Sequence, residues 1–205
     1  MECQDAARFH LCSKGAADDY GEKLLVDCDR EFKEFLEAMD CLGEKLGPLL
    51  FQFSYFDNSI FRGVTDFLAR LRPSLKKLPS DHKFVVEIRN KDWLVPQFVE
   101  TLRESGIALA LTDQSWMPRP AQRFEKFDPI TADFAYVRWL GDRKDIEAKT
   151  KVRNKIIVDR SAELGEWADV LRKLKVPVYV YANNHYALCR RRHKAYNAAF
   201  RIMPN

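Results

Sequence analysis

From about residue 45 onward, short apolar segments alternate with segments whose apolar residues recur every three or four positions. The first pattern is typical of buried strands, and the second is typical of helices that cover one side of a sheet. Such alternation predicts parallel strands, because a parallel pair needs a crossover connection that is usually helical. The sequence predicts five strands, at residues 48–53, 83–89, 107–113, 134–141 and 176–184.

Helices are predicted before and between these strands. They cover residues 23–43, 58–72, 92–106 and 161–176. Asn58 is the predicted N-cap of the second helix, and Pro73 is its predicted stop, because proline disfavours the helical conformation of the preceding residue. The charged stretch between the fourth strand and the last helix, residues 138–161, is predicted to be a solvated surface loop, with a ligand lid as the alternative.

Polar side chains occur near the carboxyl end of each predicted strand. They are Gln52 in the first, Glu87 and Arg89 in the second, Asp113 and Gln114 in the third, Arg138 in the fourth, and Asn183, Asn184 and His185 in the fifth. In α/β barrels and open α/β sheets, ligands bind at the carboxyl ends of the strands, because the loops there vary without disturbing the core. The pattern therefore predicts one shared ligand site.

The chemistry of these residue types suggests individual roles. We predict Glu87, Asp113 and His185 as catalytic acid and base candidates, and Gln52, Arg89, Trp93, Arg138, Asn183 and Asn184 as substrate-binding residues. Two alternatives stay open: ion pairs such as Glu87–Arg89 or Asp113–Arg138 brace the strand ends, or the two asparagines form only a turn. A metal site formed by the three catalytic candidates is a weaker alternative, because no local spacing of metal ligands supports it. We therefore assign no metal.

Composition restricts the partners. The net charge of +4 comes from the tail after residue 187, which holds five basic residues and no acidic one, so the rest of the chain is nearly neutral. A nucleic-acid ligand is therefore only weakly supported. No apolar run reaches the length of a membrane span, no secretory signal is recognisable, and the five cysteines show no paired motif. We expect a cytoplasmic protein with no membrane partner.

Five motifs, "FQFSYF", "VEIRNKDW", "ALTDQSW", "YVRWLG" and "VYANNHY", resemble the family called domain of unknown function 72, the YecE-like proteins. The resemblance covers residues 22–186 and implies an eight-stranded (β/α) barrel whose biochemical activity is not established. The five predicted strands look like the fourth to eighth of that barrel. The resemblance therefore implies an α/β fold that is a partial (β/α)8 TIM barrel.

Both ends of the chain depart from the family pattern. We expect an atypical N-terminal segment over residues 1–21, a partial TIM-barrel domain over 22–187 and a basic divergent tail over 188–205. The interpretation is a fragment whose start is truncated or misjoined and whose tail comes from a shifted reading frame. A barrel core is filled by side chains from all its strands, so a partial barrel would leave open edges.

Two functions of different classes follow from the predicted site. The first is an enzyme, when complete, that acts on a small polar or anionic metabolite at the carboxyl ends of the strands. The second is a non-catalytic module that binds nucleic acid or a protein partner through its aromatic and basic rim. The sequence leaves open whether the protein is an enzyme, and it assigns no cofactor and no oligomeric state.

Overall fold

The computed structural model describes residues 8–9, 29–150 and 158–182. The strands within these ranges are β1 (Arg8–Phe9), β2 (Leu49–Gln52), β3 (Phe84–Glu87), β4 (Ala108–Asp113), β5 (Ala135–Trp139) and β6 (Val178–Ala182). The α-helices are α1 (Asp29–Asp40), α2 (Val64–Leu75), α3 (Pro96–Glu104), α4 (Pro120–Lys126), α5 (Arg143–Lys149) and α6 (Ser161–Arg172). The predicted site residues Asn183, Asn184 and His185 lie outside the described residues.

The chain divides into two compact units, one made of Met1–Ala110 with Ile130–Asp133 and the other of Leu111–Pro129 with Phe134–Asn205. In the first unit, β1, β2, β3 and the start of β4 pair in parallel and in chain order. In the second unit, β5 and β6 pair in parallel over five residues each. Parallel strands in chain order with intervening helices are the arrangement of a (β/α) barrel segment, so the predicted α/β fold, a partial barrel, is confirmed.

One strand was not predicted from the sequence. β1 spans only two residues, which pair in parallel with Leu50 and Phe51 of β2. Two residues are too short to give the alternation or the apolar run from which a strand is recognised. The five longer strands lie where the sequence predicted them, with ends that differ by a few residues.

The sheet of the first unit has one face covered by helices. Phe32 of α1 lies against Phe51 and Phe84, with ring centroids 5.7 and 6.2 Å apart. Because side chains alternate along a strand, Leu50 and Gln52 of β2 and Val85 and Glu87 of β3 point to the opposite face. The register pairs Leu50 with Val85 and Gln52 with Glu87, so an apolar layer underlies a polar layer at the carboxyl end of this face.

Aromatic rings pack the space between the strand ends and the next two helices. The ring of Phe67 in α2 stacks on Trp93 at 4.8 Å and meets Phe53 edge-on at 5.1 Å. Phe56 and Phe61, from the loop after β2, meet edge-on at 5.2 Å within the same cluster. All five rings are buried. Packing of this kind fixes the loop that leaves the carboxyl end of β2.

The second unit is built in the same way. Trp139 of β5 contacts Trp167 of α6, with ring centroids 6.1 Å apart, so this face of β5 is covered by a helix. Tyr136 and Arg138 point to the opposite face, where Tyr136 lies 5.1 Å from Tyr181 of β6. Every residue of β5 is buried, as expected for a parallel strand.

Several predicted helix boundaries differ from the structure, and those of α2 and α3 differ for identifiable reasons. α2 begins at Val64, not beside Asn58, because Asp57 organises a turn with Ser59 before the helix starts. The helix also continues through Pro73 and ends at Leu75. Proline has no amide hydrogen to donate, but in the last turn this removes only one of the final backbone hydrogen bonds of the helix. The predicted third helix is a 3₁₀ turn at Lys91–Trp93 followed by α3.

The charged stretch after β5 is not a loop throughout its length. It contains α5, whose N-cap Asp142 accepts a hydrogen bond from the amide of Asp145 at 3.0 Å. The predicted loop did not include this short helix, because its seven residues are mostly charged and show no helical spacing of apolar residues. None of the helices in the described ranges is both long and apolar enough to cross a membrane.

Candidate functional site

Glu87 is the last residue of β3 and its side chain is fully buried, with 0% exposed. It lies on the face opposite the helices, next to its register partner Gln52 on β2. Its carbonyl oxygen accepts a hydrogen bond from the amide of Phe53 at 2.9 Å, which continues the pairing of the two strands past the end of β2. A buried carboxylate needs a charged or hydrogen-bonding partner, because water does not solvate it there.

Arg89 supplies that partner. Its Nε donates to Oε1 of Glu87 at 3.1 Å, so the two side chains are in contact although Arg89 lies in the loop after β3. The side chain of Arg89 is 23% exposed, whereas that of Glu87 is not exposed at all. The guanidinium is thus the charged group that solvent or a ligand reaches first, and the carboxylate lies behind it. The ion pair that the sequence raised as an alternative is present.

Asn90, the next residue, was missed by sequence reasoning. Its Oδ1 accepts from the amide of Phe56 at 2.9 Å, and its Nδ2 donates to the carbonyl of Phe56 at 2.7 Å. One side-chain amide therefore satisfies both backbone groups of a buried residue, as a neighbouring strand would. This clasp fastens the loop after β2 to the loop after β3, beside Glu87 and Arg89. The only signal in the sequence was an asparagine directly after the Glu-Ile-Arg triplet.

Trp93 lies in the aromatic cluster rather than on an exposed surface. It is buried and stacks on Phe56 and Phe67 at 6.0 and 4.8 Å. Packing accounts for this position without a ligand, and the predicted contact of Trp93 with a substrate stays a prediction.

The loop after β2 also carries a structured acidic residue. Asp57 accepts hydrogen bonds from the amide of Ser59 at 2.8 Å and from the Ser59 hydroxyl. The hydroxyl and then the amide favour the ionised carboxylate, and so lower the pKa of Asp57 from its usual 3.8. A charged Asp57 holds the turn that leads from β2 towards α2.

Arg138 and Asp113 belong to the second unit. Arg138 is buried on β5, on the face opposite α6, and its register partner is Tyr181. Asp113 ends β4 and is partly exposed. Alternation along β4 places Asp113 on the side of Leu109 and Leu111, while buried Thr112 shares the other side with Ala108 and Ala110. Sequence reasoning named Asp113 but not Thr112.

The described residues bring Gln52, Glu87 and Arg89 together at the carboxyl ends of β2 and β3. Within the described ranges, no group of three or more histidine, cysteine, aspartate or glutamate side chains could hold a metal ion. The arrangement combines a cation, an amide and a hidden carboxylate. Such a set can bind an anionic oxygen at the guanidinium and exchange a proton at the carboxylate.

A family model described as "Protein of unknown function DUF72" matches residues 3–199 of the chain. This match extends further at both ends than residues 22–186, the range over which the sequence resembles the family. No curated protein matches the chain.

Solved structures of DUF72 family proteins share the fold. One from Thermotoga maritima is 23% identical, with a TM-score of 0.55, over 84% of this chain and 64% of that protein. One from Enterococcus faecalis is 22% identical, with a TM-score of 0.51, over 80% of this chain and 63% of that protein. The chain thus spans slightly less than two thirds of the length of these two proteins.

Proposed function

Because the chain belongs to the DUF72 family, whose description states no function, we propose a function from its own residues. The whole protein is an enzyme that acts on a small polar or anionic metabolite at the carboxyl ends of the strands. Arg89 holds an anionic group of the substrate, Gln52 orients it, and Glu87 exchanges a proton with it. The observation that carries the proposal is the fully buried Glu87 behind the partly exposed guanidinium of Arg89.

A buried ion pair at a strand end is costly to build. Desolvation of two charges often exceeds their mutual attraction, so a well-packed apolar pair in the same place would serve stability as well or better. Gln52 and Glu87 follow buried apolar residues on the two strands, and Arg89 follows buried Ile88 in the loop after β3. The departure from an apolar pattern at the end where barrels bind ligands supports a functional use of these side chains.

Ligand binding at Arg89 would bring the substrate next to Glu87. The guanidinium contacts Oε1 of Glu87 at 3.1 Å, so a phosphate or carboxylate of a substrate that engages Arg89 lies beside the buried carboxylate. A carboxylate in that position can exchange a proton with the bound metabolite.

The proposal also keeps the other candidates that the sequence offers at its strand ends. Asp113 and the histidine at 185 are the other acid and base candidates, Arg138 is a second cation for anionic groups, and Asn183 and Asn184 orient hydroxyl or carbonyl groups. Trp93 remains a candidate for contact with the substrate. Each of these roles is tested separately by substitution.

The experiment is a thermal-shift screen of the purified chain and of a full-length relative against phosphorylated and carboxylated metabolites. Inorganic phosphate and glycerol 3-phosphate are the simplest probes. A ligand that binds only the folded state raises apparent stability, by about 2.7 kcal/mol when its concentration is 100 times its Kd. The proposal expects at least one compound to stabilise the wild type, and expects Arg89→Lys to weaken that effect because lysine lacks the planar fork.

Matched variants separate binding from chemistry. Glu87→Gln preserves the shape of the side chain and should retain binding but lose turnover of the compound that binds. Lys77→Met is the control, because it removes a cation that pairs with Asp29 on the exposed surface of the same unit. If Glu87→Gln and Asp113→Asn leave turnover unchanged, the enzymatic proposal fails.

The alternative, a non-catalytic binding module, predicts a different result. Its binding to a single-stranded oligonucleotide should fall steeply as salt rises, because cations on the protein replace counterions on the phosphates. That binding should also depend on Arg89 and Arg138. If salt-sensitive binding of this kind is found and no metabolite stabilises the protein, the alternative replaces the enzyme.

A further inference from the structure

At the amino end of β3, opposite the candidate site, an imidazole lies between two carboxylates. Nδ1 of His82 is 2.7 Å from Oδ1 of Asp81, and Nε2 of His82 is 2.8 Å from Oδ1 of Asp40. Asp81 is the preceding residue in the loop, whereas Asp40 is the last residue of α1. The ring is also stacked against Phe84 of β3, 6.0 Å away. His82 therefore joins a helix end to a strand start.

The two contacts determine the protonation state that this geometry requires. A carboxylate only accepts hydrogen bonds, so each ring nitrogen must donate one. A neutral imidazole carries only one N–H. The lone pair of its second nitrogen would then face the lone pairs of a carboxylate oxygen, and the two would repel each other. Both contacts are favourable together only when His82 is the doubly protonated imidazolium.

We propose that His82 is a proton-dependent clasp that fastens the end of α1 to the sheet when it is protonated and releases it when the ring loses a proton. The apolar residues of α1, Phe32, Phe35, Leu36 and Met39, are all only half-buried. Since packing of that face holds the helix incompletely, a polar contact at its end contributes more to its position than it would for a deeply buried helix.

Other charged groups nearby are engaged elsewhere in the described structure. Lys83, the next residue, lies 4.0 Å from Asp133, and Glu37, one turn before Asp40 on α1, lies 3.7 Å from Lys33. On α1 and on the loop before β3, the titratable groups in contact with the ring are Asp40 and Asp81. The side chain of His82 is 10% exposed, while those of Asp40 and Asp81 are 57% and 76% exposed.

The pKa directions agree with the geometry. Burial of the ring lowers the pKa of His82, but hydrogen bonds and charge from Asp81 and Asp40 outweigh burial and raise it above its usual 6.5. The bond from His82 also lowers the pKa of Asp81 below 3.8. A raised histidine pKa gives stability that is complete below the pKa of the unfolded chain and is lost as the pH rises through the folded value. The clasp is thus closed in mildly acidic solution and opens as the pH rises through the raised pKa of His82.

The test is a nitrogen-15 NMR titration of the histidine rings in the full chain from pH 5 to pH 9. His82 is assigned among the four histidines by the signal that disappears in His82→Gln. We expect both ring nitrogens of His82 to be protonated at pH 6, with a midpoint above 6.5. Asp40→Asn should lower the midpoint by on the order of half a pH unit, because it removes one screened opposite charge.

Two further results connect the ring to the helix. Amide signals at the end of α1 should titrate with the same midpoint in the wild type and should not titrate in His82→Gln. Glu34→Gln is the matched control, because it removes an exposed carboxylate from α1 that pairs with Arg30 and not with the histidine. If the midpoint lies below 6.5, or if the α1 signals do not follow the ring, the clasp is refuted. If His82→Gln fails to fold, the ring of His82 is assigned in the wild type by its proximity to the ring of Phe84, 6.0 Å away, so the titration still gives that answer.

Discussion

The two ends of β3 both carry charged side chains, but they differ in burial and in the partners of those charges. At the carboxyl end, Glu87 is fully buried and pairs with Arg89 in the loop that follows the strand. At the amino end, His82 pairs with Asp40 and Asp81, whose side chains are mostly exposed. A charge pair hidden at the carboxyl end of a parallel strand is difficult to explain by stability. A histidine held between two exposed carboxylates, one of them on α1, is explained by the anchoring of that helix.

The difference between the two ends predicts how much a substitution at each lowers the free energy of unfolding. The largest loss is expected in the aromatic cluster beside the carboxyl end. Replacing Trp93 with alanine removes a buried ring that contacts Phe56 and Phe67. We expect a loss of roughly 3–5 kcal/mol in the free energy of unfolding, measured by urea denaturation. Trp116→Ala, at an exposed tryptophan, should cost about 0.5 kcal/mol or less. Equal losses would mean that the cluster does not hold the loop.

The next largest effect on stability is expected from breaking the ion pair between Glu87 and Arg89. Arg89→Met leaves the carboxylate of Glu87 without the guanidinium in a buried position. Removing one partner of a buried pair typically costs about 3–5 kcal/mol, and the partial exposure of Arg89 places the expected loss near the lower end. The double variant Glu87→Gln with Arg89→Met should recover part of that loss. A cost no larger than that of Lys77→Met, at the exposed pair with Asp29, would contradict a buried site.

The asparagine clasp should give an intermediate effect. Asn90→Ala removes both hydrogen bonds to the backbone of Phe56 and leaves those buried groups unsatisfied. We expect roughly 2–3 kcal/mol of destabilisation in the same urea assay, together with faster amide exchange at Phe56. Asn58→Ala, on the exposed surface of the same loop, is the control and should change little. Unaltered exchange at Phe56 in Asn90→Ala would show that the two loops are held in another way.

The smallest effect is expected at the amino end. Between pH 6 and pH 8.5 the wild type should lose stability relative to His82→Gln, because the folded protein holds the His82 proton more tightly than the unfolded chain does. Exposed carboxylates limit the difference to about 1 kcal/mol or less. If the thermal midpoints of the two proteins change with pH in the same way, the expected effect of His82 is contradicted.

Local patterns in the sequence predicted the five longer strands and the polar residues at their ends. The apolar runs of β2 to β5 are buried as expected. Gln52 and Glu87 lie together because the strands fix register and alternation, and Arg89 joins them through its hydrogen bond to Glu87. The end of α3 was also readable: Gly106 adopts a left-handed conformation, and Ile107 and Gly106 donate to the carbonyls of Leu102 and Arg103.

Contacts between distant residues were not predictable in the same way. Asn90 binds a backbone 34 residues away, and His82 binds a carboxylate 42 residues away. Neither side chain lies in a local pattern, and the partner of each is brought close only when the strands pair. The start of α2 was misjudged for a local reason, because Asp57 and Asn58 are both good caps and the first of them forms the turn.

The central claim is that the carboxyl end of β3 binds a ligand. Its most direct test is an amide NMR titration with whichever metabolite gives the largest thermal shift. A functional carboxyl end predicts that the signals of Gln52, Phe53, Ile88 and Arg89 shift with the ligand, while those of Asp40, Asp81 and His82 stay in place at constant pH. It also predicts that Arg89→Lys weakens the response. Shifts confined to the amino end of β3, or an undiminished response in Arg89→Lys, would contradict the account.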